Sequence, residues 1–146
     1  MTPAIDWDAL SRAALDTRLR AYAPYSKYRV GAAVLAEDGR IFAGCNVENA
    51  SFGLTICAER TAVVSMIAAG ARRFVAVVVV TGGPEAGAPC GACRQTLFEF
   101  AGDAPVRMLA VDGAGRVVEE RSSSVYALLP DAFRPDQVPA STPLTE

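Results

Sequence analysis

Two short segments, Cys57-Ala58-Glu59 and Pro89-Cys90-Gly91-Ala92-Cys93, hold the residues best suited to chemistry. The 146-residue chain has no histidine and four cysteines, so a tightly held zinc ion would rest on thiolates. Cys57, Cys90 and Cys93 supply three of them and leave the fourth position of a tetrahedral ion open, which separates catalytic zinc from closed structural zinc. An open position takes a water, and Glu59 beside it is a carboxyl able to move protons, so the expected chemistry is zinc-assisted hydrolysis. Two other readings compete. With Cys45 as a fourth ligand the site would be a closed structural zinc module, and Glu59 would have no role. A dithiol redox protein would use Cys90 and Cys93, because C-x-x-C opening a helix is also a redox feature, but it leaves Cys57 unexplained.

Helix geometry constrains where these residues sit. Residues two apart on a helix point nearly opposite ways, at about 200°, so Cys57 and Glu59 cannot both serve one site from a helix flank. They can from its end, which places Cys57 at or near an N-cap. The second segment repeats the arrangement at the start of a helix running to Phe100. Two helix N-termini then converge on one anionic cluster, which their dipoles and free N–H groups stabilise. Zinc at +2 with three thiolates carries a formal charge of −1, which makes its water harder to ionise. Arg60 and Arg94 directly follow Glu59 and Cys93, and either guanidinium is placed to donate to a sulfur and draw off charge. The plainer alternative for each is a solvated arginine on a helix. Cys45, in an apolar strand, is expected to be an inert buried thiol.

The elements that must position these groups are legible in outline. A helix is expected from Trp7 to Ala21, capped by Asp6, followed by a turn through Ala23-Pro24-Tyr25-Ser26. Val30 to Ala36 and Arg40 to Asn46 read as a hairpin joined by Glu37-Asp38-Gly39. Ile56 to Ala69 carries a helical stripe stopped by Gly70. Phe74 to Val80 is apolar on both faces, as in a strand buried mid-sheet. The loop Gly82 to Pro89, the helix Gly91 to Phe100 and a strand near Val106 to Val111 form a β-α-β unit, expected as a right-handed parallel crossover. A strand Arg116 to Arg121 and a short helix Ser124 to Leu129 complete an α/β fold, a three-layer sandwich with a five-stranded mixed sheet and helices on both faces. There is no internal repeat, and the length suits one domain.

Composition excludes several classes. Net charge is −2, which provides no basic face for a phosphate backbone and argues against a nucleic-acid partner. The longest apolar run, Phe74 to Val80, is far too short to span a membrane. The opening Met1-Thr2-Pro3-Ala4-Ile5-Asp6 lacks the basic and apolar regions of a secretion signal. A reducing cytoplasm is therefore expected, where paired cysteines serve as ligands or catalysts rather than as bridges.

Three stretches together resemble the cytidine deaminase family: 21–28 (AYAPYSKY), 44–60 (GCNVENASFGLTICAER) and 89–95 (PCGACRQ). The likeness covers about residues 20–133, with metal motif and sugar-binding motif in order. It implies a single catalytic domain, placed over 1–133, while the proline- and threonine-rich 134–146 reads as a flexible tail. It also implies deamination of cytidine and 2′-deoxycytidine to the uridines and ammonia, with one zinc per subunit. By this likeness Cys57, Cys90 and Cys93 are ligands and Glu59 is the proton shuttle. Asn46 and Glu48 would bind the ribose, chiefly its 3′-hydroxyl, and the N–H of Ala58 would meet the base carbonyl. Tyr28 stands where the family commonly has a phenylalanine near the nucleoside. Phe52 and Phe133 match positions that reach a neighbouring subunit's site, Phe133 stacking on the base, within a homotetramer of shared active sites. The runner-up substrate is an aminonucleoside antibiotic, against which the complete Asn46-Val47-Glu48-Asn49-Ala50 run argues.

Overall fold

The computed structural model describes residues 1–139. Of the expected tail, 134–139 includes a short 3-10 turn at Pro135–Gln137, and 140–146 lies outside the described residues. Helix α1 spans Trp7–Arg18, and the Asp6 carboxylate accepts from the Ala9 N–H at 3.0 Å, a cap that satisfies one free donor of the first turn. It ends three residues before the expected Ala21 because Tyr22 is drawn into an extended bridge with Val47. Strands β1 (Val30–Ala36) and β2 (Ile41–Cys45) form the expected antiparallel hairpin. Helix α2 covers Ala58–Ala68, later than the expected start at Ile56, because Ile56 is also paired with Val47 and Cys57 is extended at the N-cap.

Strand β3 (Phe74–Gly82), helix α3 (Gly91–Phe100) and strand β4 (Pro105–Val111) form the β-α-β unit, and β3 and β4 are parallel. Strand β5 (Val117–Ser124) runs three residues beyond the expected Arg121, and α4 (Val125–Leu128) starts immediately after it, capped by the Ser124 hydroxyl. The sheet order is β2-β1-β3-β4-β5, five strands with one parallel pair.

Strand alternation divides the interior in two. Ala32, Val34, Val77 and Val79 pack with Ala62, Val63 and Met66 of α2 and Leu97 of α3. Ala33, Leu35, Val78 and Val80 face the other way, onto Leu10 and Ala14 of α1. The unbroken run of valines in β3 thus serves two apolar layers, each buried Val or Leu contributing roughly 1.5–3 kcal/mol. This fixes α2 and α3 on one side of the sheet, with their N-termini toward the same edge of the core.

Close contact between β2 and α2 sets the height of the first turn of α2. A Cβ added at Gly44 would come 2.7 Å from the Ala58 carbonyl oxygen and 2.8 Å from the Thr61 Cβ. Both partners belong to a helix that is packed on its other flank, so neither can yield cheaply. Gly44→Ala should therefore lower stability by about 1–3 kcal/mol, read from the denaturant midpoint. A change below about 0.5 kcal/mol, the range of an unconstrained surface substitution, would show that the helix is free to retreat.

Candidate active site and metal centre

Cys57 and Cys90 are the N-cap residues of α2 and α3, both with extended backbone, and neither uses its sulfur to cap its own helix. Cys93 lies one turn into α3 and is fully buried. The three sulfurs lie within 4.8 Å of one another, and those of Cys57 and Cys90 are 3.9 Å apart. Tetrahedral zinc with Zn–S bonds of ~2.3 Å needs sulfurs about 3.8 Å apart, so the donor set fits zinc. Cys45 is outside this cluster, on β2 opposite Gly31. A closed four-cysteine module is therefore not formed among the described residues, and Cys57 joins the Cys90/Cys93 pair rather than leaving it as a separate dithiol.

The three sulfurs share charge unequally. The Cys57 thiol is pushed down to about 5, first by the neighbouring Cys93 thiol and further by the Arg60 guanidinium. Cys93 is pushed up by its Cys57 neighbour and by burial. Arg60 donates to Cys57 Sγ at 3.6 Å and to the Thr55 carbonyl at 3.2 Å, a placement that neutralises thiolate charge at the mouth of α2. Arg94 does otherwise: its Nε donates to the Pro89 carbonyl and its Nη1 to the Leu128 carbonyl, both at 2.7 Å. With Cys93 turned into the core, the next helical residue points about 100° away, toward the chain before Cys90 and the end of α4. Arg94 braces the loop instead of touching a sulfur.

Glu59 is 4 % exposed, and burial raises its carboxyl above the ordinary carboxylate range. It opens on a cleft of about 220 Å³ together with Tyr28, Asn46, Glu48, Cys57, Ala58 and Cys90. Seven of the expected site residues thus line one cavity. Ala58 is the first residue of α2, where a backbone N–H has no partner within the helix.

Asn46 and Glu48 already hold the protein's own chain. The Asn46 amide accepts from the Val30 N–H at 2.9 Å and donates to the Tyr28 carbonyl at 2.8 Å, leaving one N–H and one lone pair free. Glu48 Oε1 accepts from the N–H groups of Tyr25 and Ser26, and Oε2 from the Ser26 hydroxyl. The Ser26 hydroxyl, then these N–H groups, hold the carboxyl of Glu48 below its usual range. This network fixes the turn at 25–28, in which Lys27 adopts φ 60°, a costly left-handed conformation for a residue with a side chain. The Tyr28 hydroxyl lies over Gly87, where a Cβ would come within 2.6 Å of it.

Phe52 is 73 % exposed and packs edge-on against Tyr25 at 5.5 Å, lining a neighbouring hollow that shares Ser26, Glu48 and Thr55 with the cleft. Phe133 is 60 % exposed and does not line the cleft of its own chain; its carbonyl accepts from Gln95 Nε2 at 3.0 Å. Ser26, Thr55, Thr81 and Ala88 line the cleft without having been singled out from the sequence. The position of Thr81, a hydroxyl ending the apolar run of β3 at the edge of the parallel pair, was the one local signal available.

The profile of the cytidine and deoxycytidylate deaminase zinc-binding region matches residues 6–109. Cytidine deaminase of Mycobacterium tuberculosis is 42 % identical over 137 residues, covering 94 % of this chain and 96 % of its own. That of Sporosarcina psychrophila is 46 % identical over 132 residues, covering 88 % and 92 %. The crystal structure of cytidine deaminase from Burkholderia pseudomallei is similar at a TM-score of 0.81 and 47 % identity, covering 88 % of this chain and all of that one. With three sulfurs gathered at two helix N-termini and the matched region spanning both, the chain belongs to the cytidine deaminase family and carries its Cys₃ zinc site.

Proposed function

We propose that this chain hydrolyses cytidine and 2′-deoxycytidine to the uridines and ammonia, as a cytoplasmic enzyme of pyrimidine salvage. The observation that carries this reading is the opening of a buried carboxyl, Glu59, onto one cleft with a three-cysteine zinc site and the Asn46/Glu48 pair. Bound zinc supplies Lewis-acid activation of a water in that cleft. Glu59 takes the proton from the attacking water and delivers it to N3 of the pyrimidine as C4 is attacked, then takes the proton of the new C4 hydroxyl and passes it to the amine, so that the C4 carbonyl forms as the C4–N bond breaks and ammonia leaves. Burial suits it to the task, because a raised carboxyl both accepts and releases a proton near neutral pH more readily than a solvated one. The free N–H and lone pair of Asn46 and the remaining capacity of Glu48 suit the 3′-hydroxyl common to ribose and deoxyribose, while the Ala58 N–H meets the base carbonyl.

Glu59→Gln preserves shape and removes the proton shuttle. Cytidine turnover, followed by the ultraviolet change as uridine forms, should fall by about 10²–10⁴-fold or more with zinc content unchanged. A folded, zinc-replete Glu59→Gln protein that kept most of its turnover would remove Glu59 from the chemistry.

The same reading includes a homotetramer whose active sites are shared. It is supported by the exposure of Phe133 away from its own cleft and by the apolar surface at Val47, Phe52, Leu54 and Ile56. Phe133 would then stack on the base in a neighbour's site. Glu59→Gln and Phe133→Ala chains, each weak alone, should regain activity when coexpressed as verified mixed oligomers, because some sites would combine an intact Glu59 with an intact Phe133. Activity equal to the average of the two variants would return Phe133 to its own subunit.

A further inference from the structure

The loop from β3 to α3 reads Gly83-Pro84-Glu85-Ala86-Gly87-Ala88-Pro89 and carries no large apolar side chain, so packing alone cannot hold it firmly. Yet it places Ala88 on the cleft wall and leads directly into Cys90. Side chains from elsewhere fasten its backbone. The Ala86 N–H donates to Glu119 Oε2, and Arg121 Nη1 donates to the Ala86 carbonyl at 3.2 Å. One residue later, the Gly87 N–H donates to Thr81 Oγ1 at 2.9 Å.

Glu119 and Arg121 are two apart on β5 and so share one face of the sheet. Their β4 partners are Ala110 and Met108, and these belong to the same core cluster as Ala86. Glu120 lies between them and pairs with Arg107 at 3.0 Å. The loop therefore passes over the end of β4 and is tied to the sheet's outermost strand. Ala86 is 3 % exposed, so a lost partner leaves a buried backbone group unsatisfied unless the loop opens to water.

We propose that Glu119 and Arg121 are positioning residues that clamp both backbone groups of Ala86 and thereby set the cleft wall at Ala88. Glu59 and Cys57 stand at the start of α2, and Pro89 next to Cys90 is held separately by Arg94, so these groups do not depend on this clamp. Releasing it should therefore weaken nucleoside binding more than it slows the chemical step. The kinetic part rests on the function proposed above, whereas backbone exchange in the loop does not.

The test measures amide hydrogen exchange across 83–89 and steady-state kinetics with cytidine on the zinc-loaded, full-length protein. Glu119→Ala should speed loop exchange at least about tenfold, as expected for loss of a charge-assisted hydrogen bond. KM should rise about three- to tenfold, with kcat within about twofold. Glu119→Gln should restore both, because its amide oxygen still accepts from the Ala86 N–H, and Glu120→Ala should change neither. Arg121→Met tests the other half of the clamp and serves if Glu119→Ala folds poorly. Loop exchange in Glu119→Ala and Arg121→Met equal to that of the unsubstituted protein would overturn the proposal, as would Glu119→Gln behaving like Glu119→Ala. An unsubstituted protein inert toward cytidine would instead count against the proposed function, with loop exchange still deciding the clamp.

Discussion

Three cysteine sulfurs within 4.8 Å of one another are the constraint around which the site is built. As thiolates they repel strongly, and only a cation, directed N–H groups and helix dipoles make the cluster tolerable. The chain meets that requirement by aiming the N-termini of α2 and α3 at one point. This in turn requires both helices on one face of the sheet at matching height. Gly44 under α2 and the doubly buried valines of β3 are the packing side of that demand. Arg60 adds the one guanidinium that reaches a sulfur among the described hydrogen bonds.

The remainder of the cleft is organised chiefly by side chains that hold backbone, with the Ser26 hydroxyl on Glu48 as a side-chain pair among them. Glu48 fastens the turn at 25–28, Asn46 ties Tyr28 to Val30, Thr81 holds Gly87 and Arg94 holds Pro89. Each is a polar group at the margin of the core gripping an irregular segment that cannot secure itself by apolar burial. Such a wall keeps its shape before a substrate arrives, which spares the ordering cost that a loose pocket would incur on binding. Strain at Lys27 is the local consequence, maintained because the surrounding hydrogen bonds over-determine that turn.

Much of this was legible because metal chemistry leaves a local signature. Cys57, Cys90 and Cys93 are recognisable from type and spacing, and the 200° argument alone puts Cys57 at a helix start, where it lies. The mid-sheet place of β3 likewise follows from its valine-rich run, and its parallel pairing with β4 from the helix between them. Illegible were the features decided by distant contacts. The end of α1 depends on the Tyr22–Val47 bridge, although Leu19, Arg20 and Ala21 are sound helix formers. Strand β5 is a polar edge strand with no apolar alternation to mark where it stops. Arg94 adjoins Cys93 in sequence, which suggests a sulfur donor, but the helix turn directs it to Pro89 and Leu128.

The whole arrangement depends on zinc sitting in an open site held by three sulfurs. X-ray absorption at the zinc edge of the purified, zinc-loaded protein measures this directly. An open site gives three sulfur neighbours at about 2.3 Å and one lighter atom, with the same result in Cys45→Ser. Four sulfur neighbours, or a sulfur lost in Cys45→Ser, would contradict it, because the site would then be closed and the water that Glu59 is placed to serve would have nowhere to bind.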